Sequence, residues 1–326
     1  MPLDPQIEFV IGLVKKANAP EFWQLTPDQA REQYLLRVNK LAVKEPIFRT
    51  EDRRIPGPGS HIPVRIYTPR EPRSGEKLPA LLWFHGGGFV IGSLDTHDSV
   101  CRMLANQADC IVVSADYRLA PEYKFPAAVE DCEAALKWVW LHAAEFGADP
   151  QAIAVGGDSA GANLATVVAI LARDAGHPRI AYQLLIYPCV APEPETPSHH
   201  KFAEGYVLSR NTITWFFKHY QRSRADSNDF RFAPLAADDL ANLPPALVLV
   251  AGYDPLRDEG VDYAKRLIEA GNHVRLVNYE GMIHGFILMG GAVDAAKHAV
   301  AESAQALREA FAATRAAAEK HSAFAK

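Results

Sequence analysis

The residues best suited to chemistry sit in short stretches that each follow an apolar run. The first is Gly157-Asp158-Ser159-Ala160-Gly161, a G-x-S-x-G pattern with an apolar segment at 153–155 before it and a small-residue segment after it. That pattern requires a strand on one side and a helix on the other, so that a sharp turn pushes the hydroxyl out at the end of a sheet. Positions beside such a serine must be small, and Gly157, Ala160, Gly161 and Ala162 are. Taken alone, the same residues also describe a glycine-rich strand-to-helix loop with the serine as N-cap.

Two further stretches separate these readings. Asp254 lies in Gly252-Tyr253-Asp254-Pro255-Leu256-Arg257-Asp258, just past an apolar run at 246–250. His284 lies in Glu280-Gly281-Met282-Ile283-His284-Gly285-Phe286, after a strand-like run ending at Tyr279. Of the twelve histidines, only His85 and His284 directly follow expected strands. A serine nucleophile, a histidine base and an aspartate that orients the base are what acyl transfer needs. In an open α/β sheet they belong just beyond the carboxyl ends of strands. Asp258 and Asp262, on the segment after Asp254, read as helix N-terminal charges.

Acyl transfer also needs donors for the oxyanion. His85-Gly86-Gly87-Gly88-Phe89 follows another apolar run and is an HGGG-type loop, whose glycines let backbone N–H groups turn inward. The assigned donors are the amides of Gly87, Gly88 and Ala160. His85 is read as fixing the loop rather than as a base, and the pattern gives Asp158 no role. The 86–92 segment lacks G-x-G-x-x-G spacing, and the adjacent His199 and His200 come with no HExxH or carboxylate cluster. Neither a dinucleotide nor a protein-ligated metal is expected.

The elements that must position these groups alternate. Residues 1–45 read as two amphipathic helices, the second capped by Thr26 with Pro27 at its first position. Strand-like alternation at 46–54 and 62–67 around Pro56-Gly57-Pro58-Gly59-Ser60 predicts an antiparallel hairpin. Then come buried strands at 80–84, 111–115, 152–155 and 182–187, with helices expected at 95–106, 127–146 and 159–174. That rhythm implies right-handed crossovers and a mostly parallel sheet. It breaks at 190–240, an insertion with an aromatic helical segment around Trp215 and Phe216. It resumes with a strand at 246–250, a helix at 256–270, a strand at 273–279 and a closing helix at about 292–318.

A formal charge of -5 argues against nucleic acid as a partner. Cys101, Cys110, Cys132 and Cys189 show no CxxC spacing, which points to free thiols and a reducing compartment. The N-terminus carries no signal-peptide pattern, and no apolar run approaches a membrane span. The expectation is a cytoplasmic protein without stable membrane insertion.

Together, His85-Gly86-Gly87-Gly88-Phe89, Asp116-Tyr117-Arg118-Leu119-Ala120-Pro121-Glu122, Gly157-Asp158-Ser159-Ala160-Gly161, Asp254-Pro255-Leu256-Arg257-Asp258 and His284-Gly285-Phe286 resemble the hormone-sensitive-lipase-like, bacterial family IV carboxylesterases of the α/β-hydrolase superfamily. The order Ser159, Asp254, His284 is the one associated with that fold. Ala162 departs from the family, which often has a second glycine there, but leaves G-x-S-x-G intact.

The resemblance implies an α/β-hydrolase fold with a mostly parallel sheet of about eight strands and a helical cap. The catalytic core would comprise 46–189 and 241–326, and the cap 1–45 and 190–240. It also implies hydrolysis of short-to-medium acyl esters, no cofactor and, in many relatives, homodimers. Phe22, Trp23, Tyr187, Trp215 and Phe216 are the candidate pocket walls. An amidase or longer-chain lipase would use the same triad, and a non-catalytic binding protein on this fold is the reading from another class.

Overall fold

Four strand ends carry the groups singled out above, and the topology brings all four to one edge. The structure, a computed structural model, describes residues 1–192 and 195–324. Its strands are β1 (Arg49–Pro56), β2 (His61–Thr68), β3 (Leu78–Phe84), β4 (Ile111–Ala115), β5 (Ala148–Asp158), β6 (Tyr182–Ile186), β7 (Ala246–Tyr253) and β8 (Val274–Ile283). They form one sheet in the order β1-β2-β4-β3-β5-β6-β7-β8. The pairings β1–β2 and β2–β4 are antiparallel, and every pairing from β4 onward is parallel. Because β3, β5, β7 and β8 run the same way, His85, Ser159, Asp254 and His284 all emerge at their carboxyl ends. This is the α/β-hydrolase architecture the sequence pattern implied.

The apolar runs are continuous because both faces of the central strands are covered. Along β3, Leu82 and Phe84 enter one core while Leu81 and Trp83 enter the other. The same two-residue alternation holds in β7, with Val248 and Val250 on one side and Leu247 and Leu249 on the other. The first core includes residues of α4 (Ala127–His142), α5 (Ala160–Ala175) and α8 (Arg257–Glu269). The second includes residues of α1 (Pro5–Ala17), α3 (Leu94–Ala108) and the closing helix α9 (Asp294–Phe324). Between α1 and α3 lies α2 (Pro27–Leu41), whose capping box pairs Thr26 with Gln29. The segment between β6 and β7 contributes α6 (Pro197–Lys201) and α7 (Arg210–Tyr220). All four cysteines are buried and free. No helix among the described residues is long and apolar enough to cross a membrane.

Several boundaries moved for local reasons. The helix expected over 127–146 ends as an α-helix at His142 and finishes in a 3-10 turn. Gly147, at φ 80°, donates there to the carbonyls of Ala143 and Ala144. The strand expected at 152–155, β5, starts at Ala148, because Ala148 pairs with Leu78 across an irregularity in the ladder. The last strand runs on to Ile283, and a register shift opposite Ala251 and Tyr253 lets it do so. The hairpin arm expected at 46–54 sits two to three residues later, flush with the Pro56–His61 pair that closes the turn.

Candidate active site

Ser159 occupies the turn between β5 and α5 at φ 55°, ψ -120°, a left-handed conformation rare for a residue with a side chain. The surroundings over-determine it. Its N–H donates to Ile186 O at 2.8 Å, and its carbonyl accepts from Asn163 N at 3.1 Å and Cys189 N at 3.3 Å. The small neighbours are required by close approach. A Cβ added at Gly157 or at Gly161 would run into the carbonyl oxygen of Phe84.

The three candidate catalytic side chains form one chain of hydrogen bonds. Ser159 Oγ lies 2.9 Å from His284 Nε2, and His284 Nδ1 lies 2.7 Å from Asp254 Oδ2. Asp254 is fully buried, and its other oxygen accepts from Leu256 N at 2.8 Å. The carboxylate is thereby aimed at the imidazole and fixes a hydrogen on Nδ1, leaving Nε2 free to accept from the serine. Tyr187 packs its ring 4.6 Å from that of His284 and limits the imidazole's tilt.

The loop after β3 faces the same serine. Gly87 and Gly88 adopt φ 123° and 59°. The carbonyl of Gly87 accepts from Val90 and Ile91, which folds the loop back on itself. Neither the Gly87 nor the Gly88 amide hydrogen-bonds another group among the described residues. Ala160 is the first residue of α5, so its N–H has no helical acceptor, and the helix N-terminus adds partial positive charge. His85 stacks 4.4 Å from Tyr117, whose hydroxyl donates to the His85 carbonyl at 2.7 Å. It therefore fixes the loop, as read from the sequence.

Asp158, given no role by the pattern, braces that loop. Its Oδ1 accepts from Gly86 N at 2.9 Å and lies 2.9 Å from His97 Nε2. Burial works against the Asp158 charge, but His97 and the Gly86 N–H outweigh it and hold the carboxyl below its ordinary range. His97 sits on α3 and was missed, since nothing local marks it. Asp258 does lie in the first turn of α8, where it also accepts from Ser198 N at 2.8 Å, while Asp262 is exposed beside Lys265. A second buried pair, Glu259 with His199 at 3.2 Å, ties α6 to α8, and burial pushes the Glu259 carboxyl up.

A cavity of about 540 Å³ opens over the serine. Phe22 and Phe216 line it as expected, together with Tyr34, Val38, Ile213 and Leu288. Three expected wall residues do not. Trp23 points outward, 40% exposed, with its indole N–H on Glu21. Trp215 packs instead against Phe216 and His219. Tyr187 lies fully buried beneath the imidazole. Arg31 holds α2 in place. It donates to Val90 O at 2.9 Å and Ala120 O at 3.0 Å, and grips Glu122 through two nitrogens at 2.9 and 2.6 Å.

A family model described as the alpha/beta hydrolase fold matches residues 81–288. The chain is 43% identical to esterase LipI of Mycobacterium tuberculosis, over 91% of this chain and 93% of that one. Among solved structures it resembles an ester hydrolase from the Lake Arreo metagenome, in complex with a bipyridine phosphonate derivative. Identity there is 42% and the TM-score 0.92, covering 95% of this chain and 99% of that one. It also resembles a hyperthermophilic esterase from Pyrobaculum calidifontis, at 44% identity and TM-score 0.90 over the same shares.

Proposed function

The chain belongs to the hormone-sensitive-lipase-like α/β hydrolases and is a carboxylic ester hydrolase, and from that premise we propose that Ser159, His284 and Asp254 carry its reaction. The observation that supports this most directly is the hydrogen-bond chain Ser159–His284–Asp254 at 2.9 and 2.7 Å. His284 Nε2 takes the hydroxyl proton as Ser159 Oγ attacks the ester carbonyl. Asp254 stabilises the imidazolium that results. The oxyanion rests on the amides of Gly87, Gly88 and Ala160, each typically worth about 3–4 kcal/mol in the transition state. His284 returns the proton to the departing alcohol. It then activates water, which hydrolyses the acyl-serine and regenerates the enzyme.

The proposed substrates are short-to-medium acyl esters. The cavity volume of about 540 Å³ supports this, lying mid-range for small-molecule pockets at roughly 300–1,000 Å³. Residues 1–45 and 190–240 act as a cap, since α1, α2 and α7 supply much of the cavity wall. Four free, buried thiols support a cytoplasmic setting. The homodimer implied by the resemblance is tested by sedimentation velocity. The deciding experiment for the mechanism is turnover of p-nitrophenyl butyrate by the wild type and by Ser159→Ala. Near-complete loss in the variant is expected, and equal rates overturn the assignment.

A further inference from the structure

The serine turn follows β5 and the oxyanion loop follows β3, so the distance between them has to be fixed by side chains. Asp158, bonded directly to Ser159, reaches both ends of that loop. Its Oδ1 accepts from Gly86 N at 2.9 Å, immediately before the Gly87 and Gly88 amides. The same oxygen lies 2.9 Å from Nε2 of His97, on α3, the helix that follows the loop. A carboxylate only accepts, so His97 donates to it. Gly86 N lies 3.3 Å from that same imidazole nitrogen, so the start of the loop and the helix at its end meet at one carboxylate oxygen. His97 is held in turn, because its Nδ1 lies 2.8 Å from Thr96 Oγ1 in the capping box that starts α3. Asp158, His97 and Thr96 are all buried. Between these anchors the loop closes on itself. A Cβ added at Gly92 would meet the Gly86 carbonyl, and one added at Gly86 would meet the Asp158 carboxylate.

We propose that Asp158, clamped by His97, is a positioning residue for the reaction: it sets the distance from Ser159 to the Gly87 and Gly88 amides. It thereby acts on the oxyanion of the transition state and not on the binding of the ester. Donors aimed at an oxyanion work only where they are held in advance at the place the charge will form. A loop closed on itself but tied to the serine turn by one carboxylate depends on that carboxylate for its placement. A displacement of about 1 Å in such a site costs about 10²-fold in rate. The inference rests on the triad reading above and names the groups that keep its oxyanion donors in register with the nucleophile.

The test uses Asp158→Asn, His97→Leu and His97→Gln, each assayed at a temperature where circular dichroism shows it folded. On p-nitrophenyl butyrate, Asp158→Asn is expected to lower kcat by about 10²-fold with KM little changed. His97→Leu is expected to lower kcat by about tenfold. His97→Gln, whose amide nitrogen can take the place of Nε2 as a donor, is expected to recover most of that loss. A pair of inhibitors isolates the oxyanion. With hexyl trifluoromethyl ketone, Ser159 Oγ bonds to the ketone carbon, its proton passes to His284, and the ketone oxygen takes the negative charge. Hexyl methyl ketone fills the cavity as the plain ketone. The Ki of the trifluoromethyl ketone is expected to rise in step with the loss in kcat/KM, and that of the methyl ketone to stay unchanged. An unchanged kcat in Asp158→Asn, equal weakening of both ketones, or a His97→Gln as slow as His97→Leu overturns the proposal. If Asp158→Asn does not fold, the two His97 variants decide by the same criteria. Failure of the triad reading looks different, because then Ser159→Ala hydrolyses the ester as fast as the wild type.

Discussion

Replacing His284 by alanine leaves Ser159 without a base, so kcat on p-nitrophenyl butyrate should fall roughly 10⁴- to 10⁶-fold with the fold intact by circular dichroism. Asp254→Asn keeps the shape but no longer holds the hydrogen on Nδ1, and a fall of about 10⁴ is expected. Asp158 makes a different prediction. Its carboxyl is held below its ordinary range in the folded state, so its stabilisation is present above the unfolded-state value and is lost as pH falls through the folded one. Asp158→Asn breaks the buried pairing with His97 and should cost about 3 kcal/mol near neutral pH. The gap from the wild type should narrow on acidification, which urea unfolding across pH would measure. A gap that does not change with pH would contradict the pairing. The proposed nucleophile Ser159, base His284 and orienting Asp254 could be picked out because each is marked by residues beside it in sequence. His97 was not, because its value to Asp158 exists only once α3 and β5 are assembled. Trp23 and Trp215 were misjudged because an aromatic's type says nothing about which way its helix or turn points it.

At the scale of elements, the contact between α5 and β3 is the tightest constraint around the serine. Gly161→Ala must push a methyl into the Phe84 carbonyl, with a cost of about 3 kcal/mol in urea unfolding. Ala162→Gly, which restores the glycine common in the family, places a flexible residue in a buried helix and should cost about 1 kcal/mol. The helix α2 depends on Arg31, whose guanidinium reaches two carbonyls and Glu122. Arg31→Met should loosen α2, raising KM with a smaller change in kcat and speeding amide hydrogen exchange across residues 27–41. Strand and helix types were readable from apolar periodicity and from caps such as Thr26. Their ends were not, because the 3-10 turn at Ala143–Phe146 and the extension of β8 to Ile283 are set by Gly147 and by ladder register.

At the scale of the molecule, cavity size sets the chain-length profile. Initial rates on p-nitrophenyl esters of increasing length should peak in the short-to-medium range and decline for long acyl groups. A rate still rising at long chains would favour the lipase reading. The mostly parallel sheet followed from the strand–helix rhythm, while the order of its strands and the cavity walls did not, since both are assembled from segments far apart in the chain. The walls also divide unevenly. The proposed catalytic groups and oxyanion loop follow β3, β5, β7 and β8, yet α1 and α2 contribute much of the cavity wall. Those two helices make up a contiguous stretch at the start of the chain that holds none of the triad. A large share of the cavity wall is therefore written apart from the proposed reactive groups. Mutational drift, or a directed library confined to the first 45 residues, can retune which esters are accepted while the reactive machinery stays under its own independent constraint.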